Sequence, residues 1–183
     1  SSGTIDSGTG TIYIDGYSQT AGSAYGSGVY FYTNNPLTIK SANTTADAIK
    51  IIAKAIGTSG DTWGVEQEDS VLSVLATGTG GGTITLGGGN LAGTGYAAGI
   101  SSTAAAGIAV DNGLWLYSGG GDIAMRGKSW AGAVGSGGAA WGIGFWNGAT
   151  SLVADSGVGK IYLEGISRSS GTSSYKMGLS TYY

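Results

Sequence analysis

Two groups of side chains in this sequence could do chemistry. The first is acidic: the run Glu66-Gln67-Glu68-Asp69, with Asp61 just upstream. A pair of carboxylates can supply the acid and the base that cleave a glycosidic bond. An oxygen-rich cluster can also hold calcium. The same run reads as the outward face of a strand and its turn, and no neighbouring stretch repeats the acids. The second group is aromatic: Tyr25, Trp63, Trp141 and Tyr175, each two to four residues before an aliphatic residue of a recurring motif. Aligned in space, these four would form a surface ladder suited to sugar rings or to a partner surface, and they are the candidate ligand contacts. The competing reading is a structural stack that shields a turn.

Other chemistries are excluded by composition. The chain has 183 residues with no cysteine and no histidine. No disulfide can form, and no nucleophile–base pair or metal site can use a thiolate or an imidazole. The glycine-rich run from Gly78 to Gly82 is not followed by the lysine and helix that a phosphate-binding loop needs. No catalytic residue, metal site or cofactor is therefore assigned. The eight basic residues are scattered and the net charge is −3, which leaves no electrostatic footprint for nucleic acid. No apolar run approaches the ~20 residues of a membrane-spanning helix.

The elements that must position these side chains show themselves as a repeat. An apolar-x-apolar motif recurs as Ile12-Tyr13-Ile14, Ile49-Lys50-Ile51, Ile84-Thr85-Leu86, Ile123-Ala124-Met125 and Ile161-Tyr162-Leu163. The leading isoleucines are spaced by 37, 35, 39 and 38 residues. A glycine-aliphatic pair follows in each unit: Gly28-Val29, Gly64-Val65, Gly107-Ile108, Gly142-Ile143 and Gly178-Leu179. Gly99-Ile100 competes for the third place, but Asn112-Gly113 after Gly107 matches Asn147-Gly148 after Gly142. A third motif closes four units, as Leu37-Thr38-Ile39, Leu72-Ser73-Val74, Leu114-Trp115-Leu116 and Ser151-Leu152-Val153.

Period-two alternation between turn residues predicts three short strands per unit. The 38 glycines disfavour helix, since each costs ~1 kcal/mol there relative to alanine. Residues 46–56 could be an amphipathic helix by composition, yet Ile49-Lys50-Ile51 falls in register with the strands. One unit alone cannot bury its apolar face, whereas stacked units bury a continuous core between parallel sheets. The expected fold is all-β: a right-handed parallel β-helix of about five units of 35–39 residues, forming a single solenoid over 1–183. An antiparallel sandwich or a small barrel suits short strands too, but not so constant a period. A unit near 37 residues leaves open whether it makes one coil or two.

Units that read Gly-x-Ile-x-Leu-x-Gly, then a Gly/Ser/Thr-rich stretch, then Gly-Val/Ile-x-apolar, resemble the shafts of large bacterial exoproteins of the filamentous haemagglutinin class. Gly82-Thr83-Ile84-Thr85-Leu86-Gly87-Gly88 and Gly121-Asp122-Ile123-Ala124-Met125-Arg126-Gly127 carry that likeness. The resemblance implies a secreted or cell-surface protein, export by an outer-membrane secretion partner, and a role in adhesion. The leading expectation is a non-catalytic display shaft or self-assembling fibre, with flanking repeats or further copies of itself as end-to-end partners. The alternatives are a carbohydrate-binding module that meets a host or microbial surface glycan through the aromatic ladder, and a polysaccharide-cleaving β-helix.

Overall fold

The computed structural model describes residues 2–20, 25–32, 34–57, 61–87, 97–100, 104–131, 139–145, 152–169 and 175–181. Among them there is no helix. The stretch that could have been amphipathic, 46–56, contributes the strand Ile49–Gly57, whose side chains alternate between buried and half-buried or exposed. Each repeat places one strand on each of three parallel sheets. Sheet one holds β1 (Gly3–Asp6), β4 (Leu37–Ser41), β7 (Leu72–Ala76), β11 (Leu114–Tyr117) and β14 (Leu152–Asp155). Sheet two holds β2 (Ile12–Thr20), β5 (Ile49–Gly57), the pair β8 (Ile84–Leu86) and β9 (Ala97–Ile100), β12 (Ile123–Ala131) and β15 (Ile161–Ser169). Sheet three holds β3 (Tyr25–Tyr32), β6 (Asp61–Glu68), β10 (Ala104–Val110), β13 (Ala139–Phe145) and β16 (Tyr175–Thr181).

The chain visits the sheets in fixed order, so one repeat is one coil and not two. The result is a parallel β-solenoid five strands deep that closes somewhat more than four full turns. The isoleucines at 12, 49, 84, 123 and 161 form one row in register. Val29, Val65, Ile108, Ile143 and Leu179 form another. Gly99-Ile100 lies in β9, on sheet two beside β5 and β12, so the Gly107 alignment is the structural one. Two details differ from the motif reading. Sheet one begins earlier than expected, with β1, where Ile5 alone marks the strand. At its far end Leu152, not Ser151, lies opposite Leu114, one residue out from the expected frame.

The three sheets enclose an apolar core built from these rows. Ile39, Ile49, Ile51, Ile84, Leu86, Ile108, Leu116, Ile123, Met125 and Ile143 are fully buried. Each such side chain contributes about 1.5–3 kcal/mol by leaving water. Serines at the corner between sheets one and two are buried without cost in lost hydrogen bonds. Ser41 Oγ donates to the Gly10 carbonyl at 2.6 Å and Ser156 Oγ to that of Gly159 at 2.8 Å.

Beyond the core, sheets two and three come together until their backbones touch. A Cβ on Gly16 would lie 2.0 Å from the Gly28 carbonyl oxygen, one on Gly127 2.0 Å from that of Gly142, and one on Gly165 1.8 Å from that of Gly178. Past this waist small residues fill the space between the sheets: Ala55, Thr62, Ala105, Ser129 and Ala140 are all buried there, and the row of Ala140 ends on the exposed Lys176 of the last coil. The waist also explains the glycine-aliphatic motif. Thr62 and Val65 are both buried although three residues apart, as are Ala105 with Ile108 and Ala140 with Ile143. Strict alternation cannot place both inward, so each strand of sheet three slips by one residue at its glycine, in the manner of a bulge. The slip bends the sheet and makes its outer face concave.

Gly127→Ala should therefore cost at least about 2–3 kcal/mol, because backbone and not a movable side chain occupies the space. Gly8→Ala, with φ +59 and nothing within 4 Å of the new Cβ, should cost only about 1–2 kcal/mol. Urea unfolding of the two variants side by side separates close approach from backbone conformation.

Candidate functional site

The concave outer face of sheet three gathers most of the side chains singled out for chemistry. Its register brings the aromatic candidates together only in part. Trp63 and Trp141 share a row, which reads Ser27, Trp63, Ala106, Trp141, Met177. Tyr25 and Tyr175 lie two positions away, in the row Tyr25, Asp61, Ala104 and then Ala139, Tyr175. The four do not form a single ladder. Burial divides them further: Trp63 is 7% exposed, Trp141 half-buried and Tyr175 44% exposed. The side chain of Tyr25 lies outside the described residues.

The tryptophans fill the bend. Trp63 packs on Ala104, Ala106 and Ala109, with Trp141 against the same cluster. The Trp141 ring also covers Gly144, where a Cβ would lie 2.6 Å from Cε3. The rings thus lie over small neighbours along the groove.

In the first coil the row offers Ser27 in place of tryptophan, and there the groove stays open. It forms a cleft of about 440 Å³ lined by Gly26, Ser27, Tyr30, Asp61, Trp63, Glu66, Gln67, Glu68 and Asp111. The acidic run and one of the aromatic candidates thus meet in a single place. Asp69 stands outside the cleft, at a turn with φ 69. Ser27 Oγ donates to Glu66 Oε2, and Tyr30 OH donates to Glu68 Oε2, both across the step from the first coil to the second. The Tyr30 and Tyr32 rings are 5.5 Å apart on the rim.

Electrostatics sets Glu66 apart. Burial, reinforced by the charges of Glu68, Asp61 and Asp111, pushes its carboxyl up to about 7, against the partial relief of the Ser27 hydrogen bond. Burial raises Asp61 as well. Burial and the bond to Glu68 hold the Tyr30 phenol above its ordinary range. No lysine or arginine is among the lining residues. Such a site can accept hydrogen bonds from a polyol, and near neutrality it keeps a proton on one carboxyl. Among the described residues, no group of three or more metal-ligating side chains converges on a point.

One site residue had no expected role. Gln67 takes the core-facing position between Phe31 and Val110, yet it is polar and only 2% exposed. Its Oε1 accepts from the backbone N–H groups of Asn112 and Gly113, both at 3.2 Å, and its Nε2 donates to the Ser70 carbonyl. It pins the corner behind Glu66 and Glu68. A glutamine in an aliphatic row was the available signal. On sheet two, Arg126 and Glu164, opposite each other in the register, pair with Nε and Oε2 3.4 Å apart, and Arg126 is buried at 7%.

No protein-family model matches the chain, and no curated protein or solved structure matches it either.

The cleft makes a pH prediction. Glu66 titrates higher in the folded chain than its ordinary 4.5, so ionising it works against folding. Its contribution is whole below about pH 4.5 and is lost as pH rises to about 7. Glu66→Gln should remove that loss. Relative to the parent, the variant should gain about 1–2 kcal/mol at pH 8 over pH 4.5, after solvent screening is allowed for. Chemical denaturation at the two pH values measures the difference.

Proposed function

We propose that this chain is a structural rod segment, a shaft that displays or spaces whatever is attached to it, and that it performs no catalysis. The observation that carries the reading is the continuity of the rows. Apolar rows run from the first coil to the last in one register, and the glycine and corner-serine rows run with them, alanine replacing glycine at Ala53 and serine at Ala76. A stack of parallel coils is stiff along its axis because each coil is bonded to the next by three sheets at once. The resemblance of the repeats to filamentous haemagglutinin-class shafts supports the same use. With it come a secreted or cell-surface location, an outer-membrane secretion partner and a role in adhesion.

A second reading is favoured by one observation, the meeting of Trp63 with Glu66, Glu68 and Asp61 in an open cleft. On that reading the flank of the rod contacts a surface glycan. Trp141, which does not line the cleft, takes no part.

Two measurements separate these readings. Deletion of residues 49–83 puts Ile84 in the place of Ile49 and removes one coil. A spacer should then refold cooperatively and shorten by about 4.8 Å between labels at its ends. A panel of soluble glycans should show no binding and no cleavage. Binding that disappears in Glu68→Gln but survives Trp141→Ala would overturn the pure rod in favour of the cleft.

A further inference from the structure

The chain contains two Asn-Gly pairs, Asn112-Gly113 and Asn147-Gly148. They hold equivalent places in the repeat, two residues after Val110 and Phe145, which face each other in register. Asn-Gly is especially prone to spontaneous loss of the side-chain amide, because glycine puts no Cβ in the way of ring closure. The glycine N attacks the asparagine Cγ, a C–N bond forms, and the Cγ–Nδ2 bond breaks. Ammonia leaves with the proton from the glycine N–H. Water then opens the cyclic imide, giving aspartate at one carbonyl and isoaspartate at the other. The reaction needs no enzyme, but it needs a glycine nitrogen free to turn toward the side chain.

At the first pair that nitrogen is tied. Gly113 is buried, and its N–H donates to Gln67 Oε1 at 3.2 Å. The Asn112 N–H donates to the same oxygen at 3.2 Å, and the Asp111 N–H donates to the Gln67 carbonyl at 2.9 Å. The Gly113 carbonyl accepts from the Leu72 N–H at 2.9 Å. Asn112 Nδ2, the group that would depart, donates to the Asp69 carbonyl. Gln67 is held in turn, since its Nε2 donates to the Ser70 carbonyl and the residue is only 2% exposed. Reaction in the folded chain must wait for a local opening that breaks these bonds, and its rate scales with the open fraction.

The second pair has a different residue in the guarding place. Gln67 stands one coil before Asn112, in the row Phe31, Gln67, Val110, Phe145. One coil before Asn147 the same row holds Val110, whose side chain has no atom that accepts a hydrogen bond. Asn147 and Gly148 themselves lie outside the described residues. We propose that Asn147 is a site of spontaneous deamidation and that Gln67 protects Asn112 from the same reaction. Each event at Asn147 adds a negative charge in the sequence between β13 and β14. The isoaspartate product also adds a carbon to the main chain there.

Incubation of the 183-residue chain in mildly alkaline buffer, followed by peptide mapping with mass spectrometry, tests the proposal. Asn147 should convert about tenfold or more faster than Asn112, since two hydrogen bonds to Gln67 must break before Asn112 can react. In concentrated urea, where no fold protects either site, the two rates should become similar. Gln67→Leu should raise the rate at Asn112 to near that at Asn147 and leave Asn147 as it was. Equal rates in the folded parent overturn the proposal, as does an Asn147 that stays intact while Asn112 reacts or both persist. A rate difference that survives in urea also overturns it, because local sequence and not the fold would then be the cause. Gln67→Leu that leaves Asn112 slow, or that speeds both sites alike, overturns the protecting role of Gln67. Circular dichroism shows whether the variant keeps its fold. If it does not, the comparison of folded with urea-unfolded parent still decides whether Asn112 is protected.

Discussion

The structure depends on one contact, the meeting of two backbones where nothing larger than the methyl of Ala53 fits. Gly127 faces the carbonyl of Gly142, as Gly16 faces that of Gly28 and Gly165 that of Gly178. Because the sheets touch there, the cross-section divides into an apolar prism on one side and a thin lobe of alanine, serine and threonine on the other. Because a strand cannot keep its alternation through the contact, it slips by one residue. The slip curves sheet three outward, and the curvature makes the groove. Fold and candidate site therefore share a single cause.

Parts of this were legible in the sequence and parts were not, for physical reasons. The isoleucine rows could be read because burial is strong and their partners recur at a near-constant period. The glycine-aliphatic pairs could be seen as a pattern. Their meaning could not, since it lies in a contact between sheets and not within a strand. The aromatic candidates failed as one ladder because their offsets from the aliphatic residue differ. A distance of two residues, as for Trp63 and Trp141, and one of four, as for Tyr175, fall in different rows once register is strict. β1 was missed because Gly3-Thr4-Ile5 carries a single aliphatic residue, and it is the edge pairing with β4 that makes it a strand. Gln67 was passed over inside an acidic run, although its place in the repeat belongs to the core.

The buried polar groups follow the same economy. Gln67 and the corner serines sit where a coil must turn, and each meets backbone groups that the turn would otherwise leave without partners. Leaving such groups unpaired costs about 1–3 kcal/mol apiece, comparable to burying one more aliphatic side chain. At these corners a polar residue is worth more than an apolar one, whereas Thr62 and Ser129 are buried along the thin lobe between sheets two and three.

A solenoid of this kind has little freedom to build a site. Every inward position answers to the rows above and below it, and on the outer side of sheet three Trp63 and Trp141 lie over the alanines and glycine beside them. Chemistry can collect only where a row is interrupted. The interruption is at Ser27, where the tryptophan of the next coil has no counterpart. There the groove opens, and the outward acids of β6 line it without a basic residue among them. Burial follows from the concavity, and the raised proton affinity of Glu66 follows from burial together with its acidic neighbours. Ser27, small and with a tryptophan on one side of it in the row, thus leaves open a flank that Trp63 and Trp141 cover further along. In repeats of this class it is the departure from the pattern, and not the pattern, that locates the place where a ligand could sit.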